Sequence, residues 1–512
     1  MPKIAVIDKQ PSSVDYSKYF QFEFDLYHMS SKRLTKLLKK DVDVVIDESA
    51  YDFIILIGSE AAKFFAKITS VSDKAGHLVN DKYIPLINPA MLIFKPEAKD
   101  SFEKSVETMH RYISGEEVVN LKGEFYGITD EQQAREYLQR IADDPTKTHI
   151  ALDTETTALY PRDGYVLGIS ISADVRCGAY IDSSCISDDI LNLFQYLIDT
   201  REVIFHNAKF DLKMLEYHFS LKFEHRVEHL HDTLLEHYTL DETQGSHGLK
   251  QLAIKYTSYG DYDKQLDEFK KTYCREHKIK EDDFTYDLIP FEILSTYAAI
   301  DTAATIELHH MFYPLIAKNA KLLSVYRNIL VPGMLVLKDI EEYGIPMSLD
   351  RLKFAGSVLD TKITAAYKAL YEFPEIKKLE EDQGSVFNPN SVQQLRKLLF
   401  DYIGLSPTGK LTGTGADSTD AEVLEELSSQ HPIVSSILSI RKLTKIKGTY
   451  IDKILVGLDR DSKLRTFFNI TSTTSGRLSS SGKFNAQQIP RDDPIVKGCI
   501  VAKPGYKIVS QD

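Results

Sequence analysis

The sequence predicts a multidomain protein that combines α/β and α+β parts. Its 512 residues correspond to roughly three ordinary domains. Hydrophobic residues make up 43% of the chain and charged residues 27%, which are values of a protein with well-formed cores. Strand and helix patterns alternate in the first part of the chain, and helical patterns dominate the last part. We therefore expect domains at 1–120, 121–325 and 326–512.

The first region is predicted to be an α/β domain. The runs Ile4–Ile7 and Phe53–Gly58 have the composition of buried strands, and Ser59 begins a helical pattern. A longer helix is predicted over Lys99–Ile113. The stretch 54–113 resembles a degenerate uracil-DNA-glycosylase-type fold, but it contains no catalytic set of residues.

The second region is predicted to form a mixed sheet flanked by helices. A helix is expected at Asp130–Ala142 and another near Asp211. The predicted strands are His149–Thr154, Val166–Ser172, Gly178–Asp182 and Val203–Phe205. Antiparallel strands followed by a mixed strand and helices favour a ribonuclease-H-like sheet.

The third region is predicted to be helical up to about residue 455 and to form strands after it. The segments 391–394 (SVQQ) and 419–422 (TDAE) have the spacing of a capping box at a helix start. Strands are expected at Leu464–Ile470 and Tyr506–Val509.

Charge and cysteine content restrict the kinds of site. The four cysteines are scattered without a CxxC pair, so neither a disulfide framework nor a zinc site is expected. The net charge of −13 does not exclude nucleic-acid binding, because binding needs a basic face rather than a basic chain. Basic residues cluster at 32–40 and 441–453, although such a run taken alone is more often a solvated helix face.

Neither a targeting segment nor a membrane segment is expected. Met1 is followed at once by a strand-like run instead of the basic and apolar parts of a signal peptide. We find no apolar stretch that approaches the roughly 18 residues of a spanning helix. The sequence thus predicts a soluble protein of the cytoplasm (the host cytoplasm if a phage encodes it) with no membrane partner.

Three segments carry acidic residues at catalytic spacings. Asp153 and Glu155 are two apart on a predicted strand, which places both on one face. Asp211 stands at a predicted helix start, and Tyr297 and Asp301 are four apart on one face of a predicted helix. Each pattern alone has a structural alternative: a polar strand end, a helix cap or a buried tyrosine. All three together, in this order, favour a metal-dependent active site.

Four converging carboxylates would repel one another unless divalent cations neutralise them. Hard oxygen ligands select Mg²⁺ or Mn²⁺ over zinc. Two such ions about 4 Å apart can activate water and stabilise the leaving oxygen in phosphodiester hydrolysis. The expected cofactor is therefore Mg²⁺ or Mn²⁺, bound as two ions.

The combination resembles the DEDD exonucleases, a superfamily that includes proofreading domains and ribonuclease D. The resemblance implies that Asp153, Glu155 and Asp301 hold one metal ion together with the attacking water. It also implies that Asp153 bridges to the second ion and that Asp211 lies near that ion through water. Tyr297 would orient the nucleophile.

Other positions of the same resemblance concern subclass and substrate. Tyr297 indicates the tyrosine subclass, because Thr296 stands where the histidine subclass has its histidine. Leu159 matches a leucine that wedges near the terminal base, with an apolar core position as the alternative. Asn207 would fix the loop of the second motif without touching metal. Asp232 lies in a His-Asp-Thr segment that is structural in such exonucleases, so no catalytic role is expected for it.

The region after residue 331 resembles the thumb and early palm of family A DNA polymerases. The resemblance is carried by EEYGIPMSLDRL, FNPNSVQQLRKLLFDYIGL, the run from GADSTDAEVLEEL to KIKGTYIDKI, and TSTTSGRLSSSGKFNAQQIPR. Together with the exonuclease motifs, this order is similar to that of replicative polymerases of large tailed phages. It implies DNA contacts by Lys445 and Lys447 on duplex phosphates, by Arg477 in the minor groove, and by Asn485 and Gln487 on template or primer.

The last residue matches the first catalytic aspartate of the polymerase palm. The segment GYKIVSQD presents Asp512, and neither the second metal-binding aspartate nor the fingers helix of the family follows it. Because nucleotidyl transfer needs a pair of carboxylates, we expect Asp512 to be half of an incomplete polymerase metal site. Synthesis would then need a second polypeptide with the fingers and the remaining palm. A natural split, an interrupted gene and a fragment stay open as explanations.

The sequence therefore predicts the N-terminal part of a proofreading family A DNA polymerase that acts in phage DNA replication. Its expected partners are a single-stranded 3′ end, a primer–template duplex and the second polypeptide. A stand-alone ribonuclease-D-like exonuclease is one alternative, which the thumb segments argue against. A non-catalytic DNA-holding subunit is another, which the intact acidic set argues against.

Overall fold

The computed structural model describes residues 2–10, 14–30, 46–68, 71, 74–93, 99–114, 123–257, 259–413, 415–490 and 493–509. The chain divides into two compact units, Met1–Met334 and Leu335–Asp512. Two separate sheets lie in the first unit, and the second unit is mainly helical. The basic run at 32–40 and Asp512 lie outside the described residues.

The first sheet is parallel and has an apolar core on each face. Its strands are β1 (Ile4–Gln10), β2 (Asp25–Ser30), β3 (Phe53–Ile57) and β4 (Tyr83–Leu86), in the order β2-β1-β3-β4. Because successive side chains of β1 point to opposite faces of the sheet, Val6 belongs to one apolar core and Ile7 to the other. Its helices are α1 (Gly58–Ala61), which continues as a π-helical turn (Ala62–Ala66), and α2 (Lys99–Ser114). The strands and helices predicted here are confirmed, whereas β2 and β4 have no counterpart in the sequence prediction.

The second sheet is mixed, as the sequence predicts. Its six strands are β5 (Glu124–Ile128), β6 (His149–Thr156), β7 (Val166–Asp174), β8 (Cys177–Asp182), β9 (Glu202–Phe205) and β10 (Leu230–Asp232). The strand order is β10-β9-β6-β7-β8-β5, and β7 is antiparallel to both of its neighbours. The other pairs are parallel. All four predicted strands are confirmed.

Seven helices accompany this sheet among the described residues. They are α3 (Glu131–Asp143), α4 (Asp188–Thr200), α5 (Ala208–Phe219), α6 (Thr233–Leu240), α7 (Leu249–Tyr256), α8 (Lys264–His277) and α9 (Phe291–Ala317). Helix α9 lies directly on the sheet, where a Cβ atom added to Gly178 of β8 would come within 2.4 Å of the Ala299 carbonyl oxygen. Glycine at this position therefore permits the close approach of α9.

The next helical stretch corrects the expectation that no segment is long and apolar enough to cross a membrane. Helix α10 (Ala320–Val325), a π-helical turn (Tyr326–Leu330) and α11 (Val331–Tyr343) run on without a break. Over Ala320–Tyr343, 24 residues, the best 18-residue window has a mean hydropathy of 1.3 and is 17% buried. By length and composition alone, this helix could span a membrane. Tyr326 within it is fully buried against strand β10 of the second sheet and helix α6.

The second unit contains seven further helices among its described residues and two short two-stranded sheets. The helices are α12 (Leu349–Leu370), α13 (Pro374–Gln383), α14 (Val392–Arg396), α15 (Ala421–Leu427), α16 (Pro432–Lys445), α17 (Asp452–Gly457) and α18 (Pro494–Lys497). Strand β11 (Ile345–Pro346) pairs with β12 (Lys463–Leu464), and β13 (Phe467–Asn469) pairs with β14 (Ser479–Ser481). One apolar core joins α12 to α16, and a second joins the N-terminal part of α12 to α17 and α18.

Three predictions for this unit are wrong in part. The strand Leu464–Ile470 is divided into two short strands with different partners. Tyr506–Val509 does not form a strand, because it pairs with no strand among the described residues, and its side chains are exposed. Helix α15 is capped by Asp420, whose Oδ1 accepts from the Val423 amide at 3.0 Å, and not by Thr419.

Candidate active site

Two of the expected acids lie on β6 and a third on α9. Because Asp153 and Glu155 alternate with Thr154 on a strand, both project toward the same face. Asp301 comes to that face from α9. One ligand oxygen from each of the three carboxylates lies within 4.8 Å of the others. The structure therefore brings together three of the four predicted metal ligands.

Asp211, the fourth predicted ligand, is placed beside this group by α5. Helix α5 begins at Ala208, three residues earlier than predicted, and Asp211 is almost fully buried in its first turn. Its Oδ1 accepts hydrogen bonds from the amide (2.9 Å) and the hydroxyl (2.7 Å) of Thr154. Asp211 is thus held against β6, and its charge acts on that of Asp153.

The loop before α5 depends on Asn207 and Asp232. Asn207 has a left-handed backbone (φ 67°), a conformation that asparagine tolerates better than most residues. Asp232 accepts from the amides of Asn207 (2.9 Å), Ala208 (3.0 Å) and Leu234 (2.9 Å). These hydrogen bonds fix the loop before α5 to the start of α6. Asp232 therefore has a structural role, in agreement with the sequence hypothesis that it is not catalytic.

Burial and crowding disfavour ionisation of the acids. Burial, followed by the charges of Asp211, Glu155 and Asp301, raises the pKa of Asp153 well above its usual range. Burial and the Asp301 charge raise the pKa of Glu155 to about 8. Two like charges about 4 Å apart repel by about 4 kcal/mol at a protein-like dielectric constant. A set of hard oxygen donors under this repulsion fits Mg²⁺ or Mn²⁺.

Tyr297 lies one helical turn before Asp301 on α9, as predicted. Burial and the charges of Asp301 and Glu155 raise the pKa of its hydroxyl well above the usual range. The phenol therefore stays protonated and can donate or accept a hydrogen bond beside the three acids.

Two residues at this site were not recognised from the sequence. The ammonium of Lys250, on α7, and the hydroxyl of Tyr262 both donate to Oδ1 of Asp301. Neither residue belongs to one of the acidic motifs. The sequence signal that could have indicated Lys250 is its position in the first turn of a helix, where a cation is unfavourable.

A second group of potential metal ligands comes from β10, α6 and α9. Three residues, His231, Glu236 and His309, each offer one ligand atom, and these atoms lie within 4.8 Å of one another. All three residues are buried. Glu236 Oε1 lies 2.8 Å from His309 Nδ1 and 3.1 Å from the Tyr326 hydroxyl. The Arg327 guanidinium donates to His231 Nε2 at 2.7 Å. These hydrogen bonds and the nearby guanidinium charge make the group a buried network rather than a vacant cation site.

The predicted DNA contacts differ in exposure. Leu159 is 66% exposed, so the alternative that it belongs to a core is wrong. Lys445, Arg477 and Gln487 are also exposed. Lys447 instead forms an ion pair with Asp452 at 3.0 Å.

Asn485 and Gln487 belong to one turn after β14. Asn485 Oδ1 accepts from the Ser480 hydroxyl and, at 3.2 Å, from the Gln487 amide. The Gln487 side chain donates to the Leu478 carbonyl at 3.2 Å. This turn lies after β14, which separates it from Arg477, and Gln487 in it is exposed. Asp512 lies outside the described residues, so its side chain cannot be placed.

Two family models match this chain, one within its first unit and one within its second. A family model described as 3′-5′ exonuclease matches residues 125–317, and one described as DNA polymerase family A matches residues 362–512. The DNA polymerase of Escherichia phage T5 is 49% identical over 527 aligned residues, which include 100% of this chain. The chain carries a 3′-5′ exonuclease domain and a region of the DNA polymerase family A type. The predicted exonuclease and polymerase-type domains and the mixed multidomain fold class are confirmed.

Family A relatives extend beyond the length of this chain. The chain spans 62% of the phage T5 polymerase. It spans 54% of the DNA polymerase of Bacillus phage SP01, which is 26% identical over 86% of this chain. Among solved structures, the POL domain of Pol1 from M. smegmatis, in complex with DNA primer-template and dNTP, matches 75% of this chain and 59% of its own chain. The TM-score is 0.56 at 22% identity, so this likeness concerns the fold.

Proposed function

We propose that the exonuclease domain removes nucleotides from the 3′ end of DNA by metal-dependent hydrolysis, as the proofreading activity of a phage replicative polymerase. The observation that carries the proposal is the convergence of Asp153, Glu155 and Asp301 within 4.8 Å beside Tyr297. The family models that match this domain and the polymerase region support the substrate class.

Asp153, Glu155 and Asp301 would hold Mg²⁺ or Mn²⁺, and Asp211 would stand next to a second ion. When bound, such ions supply stabilisation for charge on phosphate oxygens and lower the pKa of water. The protein's own part is to hold the acids in place, and Tyr297 would orient the attacking water through its protonated hydroxyl.

Leu159 and Asn207 would contact the DNA end. Both are exposed, and both belong to segments that carry catalytic acids. An exposed leucine beside such a site can pack against a base, which has apolar faces. The exposure of the two side chains supports this assignment.

The second unit would bind primer–template DNA and serve synthesis. Lys445, Arg477 and Gln487 are exposed, which supports contacts to phosphates and to the minor groove.

The alternatives are less well supported. A ribonuclease-D-like enzyme has no use for the polymerase-type region that matches residues 362–512. A non-catalytic DNA-holding subunit does not need three closely placed carboxylates that repel one another.

Digestion of 5′-labelled single-stranded DNA in Mg²⁺ tests the proposal. The chain should produce a ladder that shortens from the 3′ end, and EDTA should stop it. We expect Asp153→Asn to abolish digestion and Tyr297→Phe to reduce it, because only the first removes a metal ligand. Asp188→Asn, a change of an exposed acid on α4, is the matched control. Digestion at the normal rate by Asp153→Asn would refute the metal assignment, and faster digestion of an RNA strand would favour the ribonuclease-D-like alternative.

A further inference from the structure

A lysine lies among the carboxylates of the exonuclease site. Lys250 stands in the first turn of α7, and its ammonium donates to Asp301 Oδ1 and, at 2.9 Å, to the Tyr262 hydroxyl. The same ammonium lies 3.8 Å from the ring centroid of Tyr297 and 4.5 Å from that of Tyr262. Lys250 thus contacts both functional residues that α9 brings to the site.

The surroundings of Lys250 explain why it is held there. A cation in the first turn of a helix faces the positive end of the helix dipole, which is unfavourable. Attraction to Asp301 compensates, because that carboxylate is 5% exposed and the lysine side chain only 28% exposed. The Lys250 charge also acts on Asp153 and Glu155. The acidic set, rather than the helix it belongs to, therefore stabilises the ammonium.

We propose that Lys250 is a built-in counter-ion that competes with the divalent metal for Asp301. The proposal rests on the function proposed above and deepens it by naming a residue that sets metal affinity. The ammonium contacts Oδ1 of Asp301, and Asp301 belongs to the ligand set, so a metal ion that binds this oxygen requires the ammonium to leave. Lys250 is thus a positioning residue and not a catalytic one.

A purely structural role is the alternative. In that case Lys250 would only fasten α7 to α9, and its replacement would lower thermal stability without changing the affinity for metal. The two roles therefore differ in metal binding measured without DNA. Lys255 provides a matched control on the same helix, because it is exposed and its ammonium lies 4.8 Å from the ring of Tyr256 instead of on a carboxylate.

The test is a titration of the full chain with Mn²⁺, followed by the electron paramagnetic resonance signal of the free ion. Lys250→Met and Lys250→Gln remove the charge, and we expect each to bind Mn²⁺ about tenfold more tightly than the unchanged protein. Lys250→Arg keeps the charge and Lys255→Met removes one elsewhere, so neither should bind more tightly. Asp153→Asn, titrated in parallel, identifies the ions that belong to this site.

The outcomes separate this inference from the proposed function. Unchanged Mn²⁺ affinity in both charge-removing variants, whether or not their thermal stability falls, would overturn the counter-ion role and leave the exonuclease proposal intact. If Asp153→Asn bound as much Mn²⁺ as the unchanged protein, the metal assignment itself would fail, and the counter-ion role with it. In the expected case, the Mn²⁺ concentration for half-maximal DNA digestion falls in the two charge-removing variants in parallel with the binding result.

Discussion

The amide and the hydroxyl of Thr154 donate to the same oxygen of Asp211, at 2.9 and 2.7 Å. Strand β9 pairs with β6 only along His149–Ala151. The Thr154 amide lies beyond the end of that pairing and donates to the Asp211 side chain instead of to a neighbouring strand. Thr154, the residue between the two acids of β6, thereby fixes the position of Asp211, the acid of the second motif, on α5.

Thr154→Val tests whether this contact matters for hydrolysis. The change keeps the side-chain shape and removes one of the two donors to Asp211, a hydrogen bond to a charged group. We expect the rate of 3′-end digestion to fall about tenfold, which corresponds to about 1.4 kcal/mol in the activation barrier. Thermal stability should fall as well, since a hydrogen bond to a charged group contributes about 1.5–3 kcal/mol to folding. Thr156→Val is the control, because the Thr156 hydroxyl donates to the Ala158 carbonyl instead. Equal rates for the two variants would show that the Thr154 hydroxyl does not position Asp211.

The sequence reveals the parts of the site that depend on local periodicity. Asp153 with Glu155, and Tyr297 with Asp301, could be placed on one face each because strand and helix periods are fixed by the backbone. The contacts of Lys250, Tyr262 and Thr154 could not be foreseen. Their partners lie 51, 39 and 57 residues away, and only the packing of α5, α7 and α9 on the sheet brings them together.

Short strands mark a second limit of sequence analysis. Strand β10 has three residues and β4 has four, too few for an alternating pattern to stand out. The opposite error occurs at Tyr506–Val509, which has a strand-like composition and no partner strand among the described residues. Strand formation depends on pairing, which composition alone does not encode.

Gly178→Ala tests the close contact between β8 and α9. The added methyl would meet the Ala299 carbonyl at 2.4 Å, and a backbone atom cannot rotate away. We expect a loss of about 2–3 kcal/mol in the free energy of unfolding. Digestion should also slow, because α9 carries Tyr297 and Asp301. Urea unfolding followed by circular dichroism measures the loss.

Gly248→Ala is the control for that change. The added methyl at Gly248 meets only the Gln251 side chain, at 3.7 Å. Gly248 has φ −68° at the N-cap of α7, which alanine can adopt, so a loss below about 1 kcal/mol is expected. A Gly178→Ala protein as stable as Gly248→Ala would contradict the close packing of α9 on β8.

The ion pair of Asp461 with Arg465 predicts a pH dependence of stability. The two side chains are 2.8 Å apart, and the Arg465 guanidinium lowers the pKa of Asp461 from 3.8 to about 2. A lowered pKa in the folded state stabilises the protein above the unfolded value, and the contribution disappears as pH falls through the folded value. Asp461→Asn should therefore reduce stability at pH 7, and the difference from the unchanged protein should vanish between pH 3.8 and about 2. A difference of the same size at pH 7 and below pH 2 would exclude the ion pair as its cause.

The basic run at 441–453 does not act as one surface. The Arg441 guanidinium donates to the carbonyl oxygens of Pro389 (2.7 Å) and Thr419 (2.9 Å), so it holds helix α16 to neighbouring segments. Lys442 and Lys445 are exposed on the same helix. Arg441→Met should thus lower the stability of the unit, whereas Lys442 and Lys445 are exposed on α16 and can reach a phosphate backbone.

Removal of Lys442 and Lys445 together should weaken binding to primer–template duplex. Each phosphate contact releases counter-ions, so the loss of two contacts should make the plot of log affinity against log salt shallower by about two. Fluorescence anisotropy with a labelled duplex, measured at several salt concentrations, gives that slope.

Lys377→Met with Lys378→Met removes the same charge from exposed positions of α13 and controls for net charge. If both double variants change the slope equally, the effect comes from overall charge, and the run 441–453 is a solvated helix face instead of a DNA contact. Digestion of single-stranded DNA should stay unchanged in both, because neither pair belongs to the exonuclease domain.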